Sequence, residues 1–280
     1  MDLYHTVITP MLNRRPGYLA LANKGLFRML LGHVGIRQPA TLCRRTDGLF
    51  YDAADNPISA ADAAAIIAGA GRAFVKKAVD TWGGLDVLAY DSAEMTPEAL
   101  RETIGRMGRN WIAQEPVGQC DELNRLNPNS VNTLRIMSYL RRDGSVTVFP
   151  AVLRMSSDKA RVDNGSSGGL ACGVNPDGRL KDVARTIKGD VFSTHPLTGT
   201  RFSDIVVPGY SHIQQQVRDA HARVPQFRLI AWDIAIDRDN EAVLIEINTN
   251  GGLNITQLNN GPLFGSHTRE ILDEIFAIKS

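Results

Sequence analysis

The sequence predicts an α+β protein with mostly antiparallel sheets. Three features point there. Strand-like runs (TLRIMSYL, VTVFPAVLRM, RLIAWDIAID and AVLIEIN) are separated by long glycine-bearing loops. Helical spacing of apolar residues is confined to a few short segments. The pairs Asp47-Gly48 and Asp239-Asn240 sit between strand-like runs as tight turns, a connection open only to antiparallel neighbours.

In chain order, residues 17–35 read as a helix, with Leu19, Leu21, Leu26, Leu30 and Leu31 at helical spacing and Gly35 beyond its end. GIRQPATLCRRTDGLFYD then reads as strand, Asp47-Gly48 turn and strand. Ser59 caps a second helix, ADAAAIIAGAG, which stops at Gly69 and Gly71. AFVKKAVDTWGGLDVLAYD is a strand, a glycine turn and a strand. TPEALRETIGRMG is a helix capped by Thr96, with Pro97 at its first position. NWIAQEPVG is a strand that Pro116 interrupts. Two more helices are expected near 210–223 and 266–278. The division that follows is a leading domain over 1–71, a small lobe over 72–117 and a large lobe over 118–280.

Composition narrows the function classes. The 280 residues are 43% hydrophobic, enough for a substantial core. With 31 basic and 30 acidic residues the net charge is +1, which argues against a nucleic-acid or membrane-surface protein. Cys43, Cys120 and Cys172 are far apart and read as reduced thiols. The first twenty residues do not read as a signal peptide, and no stretch reaches ~18 uncharged apolar residues, the length a spanning helix needs. A cytoplasmic protein is expected, without nucleic-acid or membrane partners and with a homodimer admissible.

The most informative segment is AWDIAIDRDNEAVLIEIN. If Asp239-Asn240 is a two-residue turn, Asp233 falls opposite Glu246, and Asn248 lies beside Glu246 on the same face. Trp232, Ile234 and Ile236 then oppose Ile247, Ile245 and Val243 as a core face. Two carboxylates ~5 Å apart across a strand pair repel. A divalent cation reverses that sign, and an all-oxygen donor set suits Mg²⁺. The plain alternative is the solvated polar face of an edge hairpin. The polar, glycine-rich TNGGLNITQLNN that follows favours a phosphate-handling site.

A second segment, FVKKAVDTWGG, puts Lys76 at the end of an apolar strand before Gly83-Gly84, a phosphate-gripping pattern that a solvated hairpin shares. Strand alternation sends Lys76 and Lys77 to opposite faces. The loop RVDNGSSGGLACG has the composition of a cover that closes over phosphates, or of an ordinary surface loop. His195, Trp82 and Trp232 read as structural groups. No P-loop, Rossmann, G-x-S-x-G or H-E-x-x-H pattern occurs.

Taken in order, NKGLFRMLLGHVGIRQP, FVKK…GG, IAQEPV, LNPNSVNTLRIMSYL, VDNGSSGGLACGVNPDGRL, HPLTGTRF and WDIAIDRDNEAVLIEINTNGG resemble the ATP-grasp superfamily over nearly the whole chain. The likeness is strongest to its sugar-transfer-associated branch, with α-L-glutamate-ligase-like enzymes as more distant relatives. The resemblance implies two αβ lobes sandwiching ATP, with Mg²⁺ (or Mn²⁺) held by Asp233, Glu246 and Asn248. Lys76 resembles the lysine on the α/β-phosphates, with Gly83 and Gly84 in the adjoining loop and Arg28 as a second nucleotide contact. Glu115 and Val117 fall where the adenine amino group is received, and Asp121 or Glu122 where the ribose is held. Arg135 and Arg154 are implied at the γ-phosphate or a developing acyl phosphate. Three positions depart from the pattern: Lys77 stands for a proline, Asp86 for a glycine, and the hairpin turn is Asp-Asn in place of Asp-Gly. The implied activity is that of a ligase that activates a small-molecule carboxylate as an acyl phosphate and joins it to an amine or a similar nucleophile such as a thiol. A small-molecule kinase and a catalytically silent nucleotide-binding module are the alternatives.

Overall fold

The computed structural model describes residues 4–13, 23–78, 87–159 and 169–276. The chain divides into two compact units. One comprises Met1–Leu19, His33–Arg37 and Gly118–Ser280, the other Ala20–Gly32 and Gln38–Val117.

The chain opens, in the larger unit, with a π-helical turn, Tyr4–Ile8, that runs into helix α1 (Thr9–Leu12). The smaller unit begins with α2 (Lys24–Leu30), whose cap Asn23 accepts from the N–H groups of Gly25 at 2.9 Å and Leu26 at 3.4 Å. Of the helix expected over 17–35, residues 17–22 lie outside the described residues, and the described helix ends at Leu30, short of the expected end, because the chain turns over 31–35. Strands β1 (Thr41–Thr46) and β2 (Leu49–Asp52) meet at Asp47 (φ 50°) and Gly48 (φ 91°), the positive-φ pair that a type I′ hairpin requires. The short β3 (Pro57–Ile58) precedes α3 (Ala60–Gly69), which starts in a reciprocal capping box between Ser59 and Asp62. Then come β4 (Arg72–Lys77), β5 (Val87–Asp91), α4 (Pro97–Arg106) capped by Thr96, and β6 (Trp111–Gln114).

These six strands form one antiparallel sheet in the order β3-β2-β1-β6-β4-β5. Ala63, Ile67, Leu100 and Ile104 of α3 and α4 pack on Ala73, Val75, Tyr90 and Trp111 of the sheet. The expected boundary at residue 71 is therefore corrected. β6 lies between β1 and β4 and bonds to both, so the segments on either side of residue 71 share one sheet and one core.

The larger unit continues with α5 (Asp121–Asn124), β7 (Thr133–Leu140), β8 (Val146–Val148), β9 (Val152–Met155), β10 (Leu170–Val174), β11 (Leu180–Thr186) and β12 (Val191–Phe192). Pro150 falls between β8 and β9, where the sequence suggested one strand. Helix α6 (Tyr210–Ala222), β13 (Leu229–Ile236), β14 (Ala242–Asn248), α7 (Asn254–Asn260) and α8 (Thr268–Ile275) complete it. The sheet order is β12-β11-β10-β9-β7-β13-β14, with β8 also paired to β7.

Strand β13 is buried along its whole length, so both of its faces are covered. On one face α6 packs against β7 and β8, burying Ile213, Val217, Ala220 and His221. On the other, Met137, Tyr139, Leu229 and Ala231 join Tyr4, Leu12, Leu253, Ile271 and Ile275 in a second apolar cluster. Side-chain alternation places Arg135 and Asp233 on this same face, one position past the cluster.

Asn13, buried at 4% exposure, fixes that cover. Its Nδ2 donates to the carbonyls of Leu229 (2.6 Å) and Thr249 (2.7 Å), and its Oδ1 accepts from the N–H groups of Arg228 (2.8 Å) and Leu229 (3.2 Å). One side chain thus ties the start of β13 to the end of β14.

The α6 face carries a buried polar chain. Trp232 Nε1 donates to Ser138 Oγ at 2.7 Å, and Ser138 Oγ lies 2.7 Å from His221 Nδ1. His221 Nε2 faces the Phe227 carbonyl at 2.9 Å, so it carries the hydrogen and Nδ1 accepts from Ser138. Burial pushes the His221 pKa down to about 4. The unfolded chain takes up this proton below an ordinary value near 6.5, and the native state resists it. Stability from this group is therefore complete above pH 6.5 and is lost as pH falls towards 4. Denaturant titrations at pH 7, 6, 5 and 4 are expected to show a loss of up to about 3 kcal/mol. His221→Asn is expected to be less stable at pH 7 and to lack this part of the pH dependence.

Candidate active site

The site is built where β14, β13, β7 and β9 lie side by side. Asp233 pairs in register with Glu246 on one side and Arg135 on the other. Arg154 of β9 pairs with Thr133, two residues from Arg135 and hence on the same face.

The hairpin reaches this register by an unexpected route. Its turn is not the two-residue Asp239-Asn240 connection. The Asp237 N–H donates to the Glu241 carbonyl at 3.0 Å and the Asn240 N–H to the Asp237 carbonyl at 3.0 Å, with Asn240 at φ 62°. The Asp237 carboxylate accepts from the N–H groups of Asp239 (3.0 Å) and Glu241 (2.9 Å) and so pins the turn. Ile234 then pairs with Leu244, and Ile236 with Ala242, in place of the expected Ile245 and Val243. A bulge between Asp233 and Ile234 shifts the register by one and restores Asp233 opposite Glu246. The edge-hairpin alternative does not hold for β13, which lies between β7 and β14. At β14's outer side, Arg37 forms a parallel bridge with Val243, and its carbonyl accepts from the Leu244 N–H at 2.7 Å.

The electrostatics also differ from the expectation of two repelling carboxylates. Asp233, 5% exposed, is held by Arg135 through both carboxylate oxygens, with Nη2 to Oδ2 at 2.7 Å. Arg154 Nη1 lies 3.6 Å from Oδ2, and Asn248 Nδ2 donates to the same oxygen at 3.4 Å. Among the described residues, two guanidinium groups thus stand against two carboxylates. The backbone crowds this set from one side: a Cβ on Gly251 would come within 3.0 Å of the Ala231 Cβ and 3.2 Å of the Asn248 Cβ. The Tyr4 hydroxyl holds the Gly251 carbonyl at 2.9 Å, and His5 Nδ1 lies 3.0 Å from Asn250 Oδ1.

The donors suit a hard divalent cation. An ionised carboxylate offers about four lone-pair directions, of which Arg135 takes one on each Asp233 oxygen and Asn248 a second on Oδ2. Glu246 and Asn248 are half-buried and add oxygens of the right kind. Among the described residues no group of three or more His, Cys, Asp or Glu could hold a metal ion. This two-carboxylate, one-amide set would need further oxygens from a ligand or water, as Mg²⁺ sites usually do.

The other expected site residues are placed as follows. Lys76 points away from the helix-packed core, and its Nζ lies 3.4 Å from Gln114 Oε1. Arg28 pairs with Asp55 and donates to the Ala53 carbonyl at 3.3 Å. Glu115 is exposed, and its N–H donates to the Ala40 carbonyl at 2.9 Å; Val117 is half-buried. Asp121 is exposed at the start of α5, whereas Glu122 holds Arg125 at 2.9 Å and the Val206 N–H at 3.2 Å. Arg28 and Glu122 would each have to leave an ion pair to reach a nucleotide. Gly83, Gly84 and residues 163–168 of the glycine-rich loop lie outside the described residues. His195 is structural: fully buried, it has Nε2 2.9 Å from the Ser156 carbonyl. Gly251 and Asn13 were not anticipated, because their roles depend on contacts remote in sequence.

A family model described as sugar-transfer associated ATP-grasp matches residues 4–271. Solved structures share the fold at low identity. One is the ATP-grasp ligase PsnB complexed with minimal precursor, at 12% identity and TM-score 0.53, covering 94% of this chain and 64% of that one. Another is an ADP complex of N5-carboxyaminoimidazole ribonucleotide synthetase, at 10% identity and TM-score 0.52, covering 87% and 53%. A weaker match, to carboxyaminoimidazole ribonucleotide synthase from Aspergillus clavatus with ATP, has 16% identity and TM-score 0.49 and covers 82% and 45%. The chain thus spans less than two thirds of the length of each. No curated protein matches it.

Removing one partner of a buried ion pair strands the other charge. Asp233→Asn is therefore expected to lower unfolding free energy by about 3 kcal/mol. Glu246→Gln, at a half-buried edge-strand position, is expected to change it by less than about 1 kcal/mol. Chemical denaturation of both variants measures the difference.

Proposed function

The chain belongs to the sugar-transfer associated ATP-grasp family, and from that premise we propose that it is an ATP-dependent ligase. It activates a small-molecule carboxylate as an acyl phosphate and joins it to an amine. The observation that carries this reading is the charge-balanced row Glu246–Asp233–Arg135–Arg154 with Asn248 beside it. Phosphoryl transfer asks a protein for positioning and charge neutralisation more than for covalent chemistry. A row that offers hard oxygens at one end and guanidinium groups at the other meets both demands.

Asp233, Glu246 and Asn248 would hold Mg²⁺ (or Mn²⁺), which when bound neutralises phosphate charge and orients the nucleotide. Mg and ADP bound to the PsnB neighbour support this choice. Arg135 has two tasks. It aims the Asp233 carboxylate through both of its oxygens, and with Arg154 it presents positive charge where a phosphoryl group is transferred. Lys76 is the phosphate-contacting lysine of this reading, oriented by Gln114 on the neighbouring strand. Gly251 lets the backbone after β14 lie close against the site, as a group carrying phosphate oxygens requires.

Two experiments test the assignment. Glu246→Gln is expected to keep its fold and lose ATP turnover by at least roughly 100-fold, an effect of the size that metal-ligand or transition-state contacts have; full activity would remove Glu246 from the metal site. Lys76→Ala is expected to weaken nucleotide binding and lower kcat, with Lys77→Ala near neutral, because the two side chains leave β4 on opposite faces. The reverse ranking would overturn the Lys76 assignment. Product analysis separates ligase from kinase: free phosphate and an amide mark the ligase, a stable phosphorylated product the kinase.

A further inference from the structure

The face of the eight-stranded sheet that carries Arg135 and Asp233 continues across β9 and β10 to β11. Ala171 of β10 pairs with Arg154 on one side and Arg185 on the other, so both arginines share that face. The β10–β11 register then shifts between Cys172 and Val174. Between these positions β11 carries three residues to one on β10, and Lys181 lies against Gly173, where a Cβ would meet Lys181 Cδ at 2.7 Å. Here lies a cavity of about 370 Å³ whose polar lining includes Asn175, Arg179, Lys181, Arg185, Ser203 and Asn259.

Its charge is one-sided. Arg179, Lys181 and Arg185 face one acidic lining residue, Asp182, which leaves two net positive charges. Two of the cations are tethered to carbonyls: Arg179 Nη1 donates to Ser203 at 2.9 Å, and Lys181 Nζ to Asn259 at 2.8 Å. Neither contact neutralises charge. The Arg185 guanidinium has no hydrogen bond or ion pair among the described residues, and the residue is half-buried. A guanidinium in that state forgoes the charge-assisted bonds that make arginine a recogniser of planar and tetrahedral oxyanions. Asn259, only 6% exposed, adds a complementary signal. Its Nδ2 donates to the Ile255 carbonyl, whereas its Oδ1 is buried with no donor among the described residues. A buried acceptor left bare costs on the order of 1–3 kcal/mol, and a hydroxyl or amine on a ligand would relieve it.

We propose that this cavity binds a small molecule bearing a carboxylate or phosphate oxyanion next to a hydroxyl or amine donor. Arg185 and Lys181 take the oxyanion, and Asn259 Oδ1 accepts from the neighbouring donor. The site does not depend on the nucleotide reading, since none of its residues belongs to the carboxylate–arginine row. Isothermal titration at low salt tests it with inorganic phosphate for one oxyanion and glycerate for the other. At least one probe should bind saturably, and Arg185→Gln should weaken it roughly tenfold, the size of one lost charge-assisted bond. Lys181→Gln should do likewise and keeps the test open if the arginine variant fails to fold. Lys188→Gln, an exposed charge beyond the end of β11, should leave the affinity within about twofold. The proposal is overturned if neither probe saturates the unaltered protein, if both cavity variants retain its affinity, or if Lys188→Gln weakens binding as much as they do. A failure to bind MgADP would count against the ligase reading alone.

Discussion

A carboxylate in the middle of a sheet has to be neutralised, and Asp233 is neutralised by Arg135. The two residues are register partners on β13 and β7, so main-chain pairing and ion pairing reinforce each other. Much of the larger unit follows from making that pair tolerable. Trp232, the next residue, is locked on the opposite face by the Ser138–His221 chain, which prevents β13 from rotating the carboxylate away. On the near face the apolar cluster ends just before the ion pair, and Gly251 lets the backbone close over it without displacing Asn248. A buried pair of this kind contributes little net stability. Its value lies in fixing one carboxylate geometry.

Most of the fold was legible because local rules and tertiary context agree. Asp47-Gly48, the Ser59–Asp62 box and Thr96-Pro97 each specify their turn or helix start from adjacent residues alone. The segments that escaped are those where context decides. Strand β11, LKDVART, carries a lysine, an aspartate and an arginine and breaks its register at a bulge, so no period-two pattern survives in it. The partition at residue 71 failed for a similar reason: a sheet that inserts β6 between β1 and β4 leaves no trace in composition.

The site was legible in part, and for an instructive reason. Asp233 opposite Glu246 follows from an assumed two-residue turn, yet the turn is longer and a bulge cancels the difference. Alternation alone demanded that the two polar residues share a face, and the bulge is how the chain satisfies the turn and the face together. Unreadable from the hairpin was the source of its compensating charge, because Arg135 lies 98 residues away. A sequence can show that a charge needs a partner without showing which residue supplies it.

Asn13 sets a timetable for the ribosome. Its partners, the backbones of Leu229 and Thr249, lie 216 and 236 residues downstream. At the usual ~5–20 residues per second of synthesis, the amide must wait roughly ten to fifty seconds before its acceptors exist. Through that interval Tyr4 and Leu12 also have no β13 surface to cover. The segment around Asn13 is thus made well before the strands that it docks against. A nascent chain stalled before residue 249 would hold most of the sheet yet lack the tether between the two strands that carry Asp233 and Glu246.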